Sequence, residues 1–253
     1  MNDLVDQPLR RQWFPVARCQ EVGFRHIHRS QLLNQELAIW RDDDGRINAW
    51  ENRCTHRGTR LSIGTNTGKE IKCQYHGWRY ASQSGQCSFI PAHPDMKPSS
   101  RYCVNTFECI EKCGYVWVKL ENEGDSEPLL PLSDGEAFTT LRSAYVNASV
   151  TGIRDWLITD YESVFKASNS GLESSLIGIT QHHPFLLEAI ASNQNDNKPV
   201  TMFIYLHPLI DEVTAIHPLV NVDIPQEKRV EAYRHYNRLF RTIRNVIEAD
   251  HAR

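Results

Sequence analysis

The stretch that decides the fold runs from Cys54-Thr55-His56 to Cys73-Gln74-Tyr75-His76, with 16 residues (57–72) between the two motifs. Nature uses such C-x-H and C-x-x-H pairs to hold a [2Fe–2S] cluster, in which two thiolates bind one iron and two imidazoles bind the other. Two neutral imidazoles in place of thiolates remove negative charge near one iron. Adding an electron to the cluster therefore costs less free energy, and its reduction potential is higher. The first interpretation of this stretch is therefore electron transfer.

Glycine-containing turns follow both motifs. Arg57-Gly58 and Gly77-Trp78 supply backbone that can fold tightly around a cluster and donate N–H groups to its sulfurs. A structural zinc site with two cysteines and two histidines uses the same ligands and stays open as the alternative. Zinc fingers pair Cys with Cys and His with His along the sequence, so the ligand order favours the cluster.

Residues 12 to 91 resemble the Rieske domain of Rieske non-heme iron oxygenases, in particular the vanillate-demethylase-like branch of single-chain oxygenase components. The resemblance implies that Cys54 and Cys73 bind the iron that stays ferric, and that His56 and His76 bind the iron that accepts the electron. It lies in four runs: QWFPVA at 12–17, CTHRGTRLS at 54–62, CQYHGWRY at 73–80 and GQCSFIP at 85–91.

The composition of the 253-residue chain is typical of a globular protein, with 40% hydrophobic residues and a formal net charge of −3. No run approaches the roughly 18 apolar residues of a membrane span, and the first residues lack a signal-peptide pattern, so we expect a cytoplasmic protein. The charge indicates neither nucleic acid nor membrane as a partner. Seven cysteines, an odd number, argue against a disulfide framework. Five are expected to be ordinary reduced thiols: Cys19, Cys87, Cys103, Cys109 and Cys113.

Hydrophobic patterning divides the chain into two domains. Short β-like runs separated by turn signals predict an all-β domain over 1–120, and the polar, acidic segment 121–134 is interpreted as a linker. Residues 135–253 are predicted to form a reduced α+β domain that resembles an oxygenase catalytic domain. Its predicted elements are a helix near Asp155–Ala167, strands near Leu176–Ile179, Val200–His207 and Val213–Val222, and a terminal helix over Gln226–Ala252.

The second domain departs from the family pattern at its catalytic iron. The family binds Fe(II) through a D-x-x-H-x-x-x-x-H helix and a further carboxylate. The best match here keeps Asp160, the family's bridging carboxylate, but has Ser163 and Ser168 at the two histidine positions. Asp250 is the expected remnant of the third ligand. Because serine is a poor Fe(II) ligand beside imidazole, we predict that mononuclear Fe(II) is absent from this chain.

Other histidines are candidates to replace the two missing iron ligands. His182 and His183 are adjacent and, with Asp160 or Asp250, could in principle rebuild a site; neighbouring strand residues point to opposite faces, however, which makes joint ligation awkward. His207 and His217 each precede a proline and are expected to be packing or turn residues.

Three functions remain open at this stage. The first is a Rieske electron-transfer subunit of a hetero-oligomeric oxygenase, which takes electrons from a reductase or ferredoxin and relays them to a catalytically intact partner in a ring-type trimer or hexamer. The chain would then not act on substrate by itself. The second is an active oxygenase, a hydroxylase or demethylase, with an atypical iron site. The third is a stand-alone Rieske ferredoxin-like carrier.

Overall fold

The structure is a computed structural model that describes residues 8–130, 138–160, 176–191, 200–221, 224 and 226–251. The chain divides into two compact units, Met1–Leu129 and Leu130–Arg253. The predicted β-rich, α+β fold class is confirmed. Within the described residues, no helix has both the length and the apolar character needed to cross a membrane.

The first unit is built on a six-stranded antiparallel sheet in the order β1-β10-β9-β4-β3-β2. Leu37, Ala38, Ile39 and Trp40 of β3 are all fully buried, so this strand reads as a continuous apolar run rather than as an alternating one. The six strands are β1 (Phe14–Arg18), β2 (Ile27–Leu32), β3 (Gln35–Arg41), β4 (Ile47–Glu51), β9 (Thr106–Lys112) and β10 (Tyr115–Lys119).

A smaller four-stranded antiparallel sheet in the same unit carries the second cysteine–histidine motif. Its strands run in the order β5-β6-β7-β8. The first motif follows β4 of the large sheet and the second follows β6, so each motif occupies the loop that leaves the carboxyl end of a strand. The strands are β5 (Thr65–Asn66), β6 (Glu70–Lys72), β7 (Arg79–Ala81) and β8 (Cys87–Phe89).

The second unit is an antiparallel sheet with helices packed on its apolar face. The strand order is β11-β16-β15-β14-β13, and β12 also pairs with β16. The core joins Ile204 and Ile216 of the sheet to Phe240 and Ile243 of the terminal helix. The elements are β11 (Thr139–Thr140), β12 (Ala144–Val146), α1 (Val150–Thr159), β13 (Leu176–His183), β14 (Leu186–Ala191), β15 (Val200–Ile210), β16 (Val213–Val220) and α2 (Gln226–His251).

The helix predicted near Asp155–Ala167 begins earlier than expected. It starts at Val150 because the Ser149 hydroxyl caps it, accepting a hydrogen bond from the Gly152 N–H at 3.1 Å. The helix ends at Thr159, with Asp160 as its C-cap; the rest of the predicted range lies outside the described residues. Strand β14 was not predicted, and it pairs with both β13 and β15.

Of the two roles expected for His207 and His217, packing or turn residues, the structure shows packing, and neither histidine ends or interrupts its strand. Both lie inside long strands, β15 and β16, and each is only 1% exposed. The proline that follows each of them also lies inside the strand. Pro208 lies next to a bulge in the β15–β16 pairing, where a missing N–H is tolerated.

Candidate metal centre

The two motif loops have the same backbone hydrogen bonds. In the first, the Cys54 N–H donates to Thr59 O and the Gly58 N–H donates to Cys54 O, both at 2.8 Å. In the second, the Cys73 N–H donates to Trp78 O at 2.8 Å and the Gly77 N–H donates to Cys73 O at 3.1 Å. The bonds fall at identical offsets from each cysteine, so the two loops are local copies of one another.

Glycine is required at the fourth position after each cysteine. Gly58 has φ +71° and Gly77 has φ +68°, which is the left-handed region that strains other residues. This backbone turn lets the glycine N–H donate to the cysteine O and so closes each loop. Sequence analysis identified both glycines as tight-turn residues, but not the matching bond pattern.

The structure brings the four predicted ligands together as two pairs, one of thiols and one of imidazoles. Cys54 and Cys73 are 4% and 1% exposed and contact one another through their thiols. His56 and His76 are exposed, with ring centroids 4.8 Å apart and Nδ1 atoms 3.1 Å apart. A pair of thiols therefore lies inside the protein, and a pair of imidazole nitrogens lies at the surface.

Protonation at this site follows from burial and from nearby hydrogen-bond donors. Burial raises the pKa of the Cys73 thiol, although hydrogen bonds from the backbone N–H groups of Tyr75 and His76 oppose that rise. Loss of solvent around the ring lowers the pKa of His56, and the charges of His76 and Arg57 lower it further. A neutral His56 is what metal ligation requires.

Tyr80 supplies a buried hydrogen bond to one of the thiols. Its hydroxyl lies 3.0 Å from Cys54 Sγ and 3.0 Å from Thr55 Oγ1, and the side chain is fully buried. Burial and the neighbouring Cys54 raise the pKa of Tyr80 well above its usual value. The phenol therefore stays neutral and can donate to a Cys54 thiolate. Sequence analysis missed this residue, although its place in β7, seven positions after Cys73, is a usable signal.

Aromatic rings surround the exposed imidazoles. The Trp78 ring stacks on His56 with centroids 4.6 Å apart and an interplanar angle of 3°. Tyr75 lies 3.8 Å from His76, and Tyr102 meets Trp78 edge-on at 5.1 Å. These contacts fix the ring planes, so both Nδ1 atoms point into the space between the loops.

The donor set fits a two-iron group with one buried and one exposed iron. Two nitrogens bound to one metal at about 2.1 Å in tetrahedral geometry lie roughly 3.4 Å apart, close to the 3.1 Å between His56 Nδ1 and His76 Nδ1. The thiols form a second, buried pair. This separation into a sulfur pair and a nitrogen pair matches the ligand division of a mixed Cys2His2 [2Fe–2S] cluster.

A family model decides between the cluster and the zinc alternative, because the model for the Rieske [2Fe-2S] domain matches residues 12–108. Residues 12–108 are a Rieske domain. The Rieske match supports a [2Fe–2S] cluster held by this domain. The predicted resemblance is thereby confirmed.

Curated relatives of the chain include an oxidoreductase and a demethylase. It is 47% identical over 146 residues to the oxidoreductase NdmD of Pseudomonas putida, covering 56% of this chain and 25% of NdmD. It is 34% identical over 122 residues to the methylxanthine N1-demethylase NdmA of the same organism, covering 46% of this chain and 34% of NdmA. The matched segment is thus about a third or less of these relatives' length.

Solved structures show that the fold likeness extends beyond the Rieske domain. The structure of Pseudomonas putida CBB5 NdmA matches with a TM-score of 0.76 at 21% identity, covering 96% of this chain and 82% of that chain. Dicamba monooxygenase bound to dicamba matches with a TM-score of 0.75 at 18% identity, covering 95% and 87%. The second unit therefore shares the fold of an oxygenase chain.

The predicted iron-site remnants are only partly within the described structure. Asp160 is exposed at the end of α1, where it accepts a hydrogen bond from the Thr159 hydroxyl at 2.7 Å. Asp250 is exposed near the end of α2. Ser163 and Ser168 lie outside the described residues. Of the two adjacent histidines, His182 places Nε2 2.6 Å from Glu188 Oε2, across the β13–β14 hairpin.

A buried polar chain in the second unit was missed by the sequence analysis. His217 Nδ1 lies 2.8 Å from Ser143 Oγ, and His217 Nε2 lies 3.0 Å from His207 Nδ1. Both histidines are followed by Pro-Leu, a repeated H-P-L signature that marks equivalent places on β15 and β16. Two of the histidines are thus buried residues that hydrogen-bond to one another.

Proposed function

We propose that this chain is the Rieske electron-transfer component of a hetero-oligomeric non-heme iron oxygenase, relaying electrons from a reductase or ferredoxin to the mononuclear iron of a catalytically intact partner subunit. One observation carries the proposal: two loops with the same backbone hydrogen bonds present a pair of exposed imidazoles 3.1 Å apart and a pair of buried thiols in contact. A site arranged in this way exchanges electrons through its imidazole edge, while its sulfur side is kept dry.

The residues of the first unit have separable roles in this proposal. Cys54 and Cys73 would hold the buried iron, and His56 and His76 the exposed one. When bound, the cluster supplies reversible one-electron chemistry. Tyr80 donates a hydrogen bond to the Cys54 sulfur, and Trp78 keeps the His56 ring in the plane that ligation needs. Apolar packing of Leu61, Ile71 and other core residues keeps water from the sulfur side.

The second unit supports a role in assembly. We propose the division 1–120, 121–134 and 135–253, with the last part a degenerate catalytic-like domain that lacks its own Fe(II). Its support is the fold shared with oxygenase chains, together with serine at 163 and 168 in the matched motif. A heterologous ring contact, as in a trimer or hexamer, explains why such a domain is kept. Asp160 remains the candidate bridging carboxylate at that contact.

The relatives indicate which partners to seek. NdmD is named an oxidoreductase and NdmA a methylxanthine N1-demethylase, and each matches about half of this chain. A reductase and an oxygenase subunit are therefore the expected partners. The cysteines of this chain are all free, which agrees with a reducing compartment such as the cytoplasm.

The deciding experiment measures iron and acid-labile sulfide per chain on anaerobically purified protein, with an EPR spectrum after dithionite reduction. We expect about two irons, about two sulfides and a Rieske signal. Added Fe(II) is expected to leave the iron content unchanged. Untagged chains from neighbouring genes should co-purify with the tagged protein when expressed together.

An active oxygenase is the second candidate, because the second unit keeps the oxygenase fold. It predicts a third iron after Fe(II) addition, together with oxygen consumption. That result would exclude a purely electron-relaying role and would direct mutagenesis to His182, His183 and Asp250. One zinc per chain and no labile sulfide would exclude both candidates. A stable, monomeric two-iron protein that binds no partner would favour the stand-alone carrier.

A further inference from the structure

Charge is unevenly distributed along the chain. Residues 53–101 contain eight Lys and Arg against two Asp and Glu, a net charge of +6, whereas the whole chain carries −3. The remainder therefore carries −9. The positive segment is the one that contains both motif loops.

The uncompensated positive charge lies beside the exposed imidazoles. Arg57 follows His56 directly, and the Lys72 Cε atom is 3.6 Å from the place that a Cβ on Gly77 would occupy. Arg101 adjoins Tyr102, whose ring contacts Trp78. All three basic side chains are exposed, and none forms an ion pair within 4 Å in the part of the chain that the structure describes.

Other basic residues nearby are already neutralised. Arg60 forms two hydrogen bonds with the Glu36 carboxylate, at 2.8 and 2.9 Å. Arg79 lies 3.8 Å from Glu70. Arg53, Lys69 and Lys97 of the same segment also form no ion pair within the described residues. We call Arg57, Lys72 and Arg101 the basic rim, because they adjoin His56, Gly77 and Tyr102 respectively.

Exposed aromatic rings lie within this rim. Tyr75 is 58% exposed and Tyr102 38% exposed, and they flank the imidazole pair. Aromatic side chains at the centre of a surface with charged residues around it are typical of protein interfaces. The rim would steer a partner of opposite charge, and the rings would make the close contact.

We propose that the basic rim and Tyr75 form a docking surface for an electron-transfer protein or domain that is acidic around its own cofactor. The inference rests on the proposed electron-transfer function and adds the chemical class of the partner. Opposite charges raise association rates by about 10- to 1,000-fold at low salt, and screening removes that gain over about 10 Å at 0.1 M.

The test is a stopped-flow measurement of electron exchange with the cluster, in which a reduced plant-type ferredoxin is the acidic probe that reduces it and hexaammineruthenium(III) is the cationic probe that reoxidises it. Lys72→Glu and Arg57→Glu are the test variants. Lys69→Glu is the matched control, because Lys69 is exposed on the same sheet but at the opposite end of β6 from the second motif loop. Equal iron content and EPR spectra establish that each variant holds its cluster.

We expect the ferredoxin rate to fall steeply with ionic strength, and Lys72→Glu to lower it about five-fold or more at low salt. The same variant should raise the rate with the cationic probe, while Lys69→Glu should change either rate less than about two-fold. The opposite response to the two probes separates a charge effect from damage to the site.

Two results would overturn the inference. One is a ferredoxin rate that is insensitive to salt and to Lys72→Glu in protein with an intact EPR signal. The other is a salt-sensitive oligomer of this chain alone that Lys72→Glu abolishes, which would assign the basic rim to a second copy. Failure of the proposed function looks different, because protein without a reducible cluster gives no Rieske signal in any variant.

Discussion

At the scale of a single residue, the Tyr80 hydroxyl offers a direct test of the site. Its hydrogen bond to Cys54 Sγ strengthens when the cluster gains an electron, so the bond favours the reduced form. Tyr80→Phe should therefore lower the midpoint potential. A loss of roughly 1 kcal/mol of differential stabilisation corresponds to roughly 40 mV for one electron. Protein-film voltammetry measures the change.

Thr55→Val is the control for that prediction. It removes the second partner of the Tyr80 hydroxyl but leaves the phenol free to donate to the sulfur. The midpoint potential of Thr55→Val should differ less from that of the native protein than the midpoint potential of Tyr80→Phe does. Equal potentials for Tyr80→Phe and the native protein would show that this hydrogen bond does not distinguish the two redox states.

At the scale of an element, the two motif loops depend on their glycines to different degrees. Gly58→Ala and Gly77→Ala both place a Cβ at positive φ, which costs roughly 1–2 kcal/mol. At Gly58 the new Cβ has no heavy atom within 4 Å, whereas at Gly77 it lies 3.1 Å from Pro91 Cγ. We therefore expect Gly77→Ala to lose its cluster faster on heating than Gly58→Ala does.

The rate at which visible absorption bleaches during heating measures the cluster loss of each variant. Gly23→Ala is the control, since Gly23 has no positive φ and an added Cβ meets nothing within 4 Å. It should retain the native rate of cluster loss. If all three variants bleach at the native rate, the loop conformation does not limit cluster retention.

At the scale of the whole molecule, the second unit can be tested for a latent iron site. Ser163→His with Ser168→His restores the family's D-x-x-H-x-x-x-x-H sequence and, with Asp250, supplies two histidines and one carboxylate as ligands. The double variant should bind about one additional Fe(II) per chain, measured by iron analysis after desalting.

The paired control is Ser163→Ala with Ser168→Ala, which supplies no ligand and should keep the native iron content. Failure of the histidine variant to bind further iron, in folded protein with an intact Rieske signal, would mean that positions 163 and 168 do not face Asp250. The assignment of a degenerate catalytic domain would then rest on fold likeness alone.

Local patterns determined the metal centre and most of the strands. Cysteine and histidine chemistry limits the ligand set, and Gly58 and Gly77 mark turns that other residues disfavour. The terminal helix was predictable because its apolar residues recur at helical spacing and pack against the sheet. These features depend on residues that are close to one another in the sequence, so they can be predicted from it.

Tertiary structure alone decided how distant residues meet. Tyr80 reaches Cys54 only because the two motif loops converge, and the His207–His217 contact arises from the pairing of β15 with β16. Sequence separation carries no information on these distances, because side-chain contacts across strands are set by register.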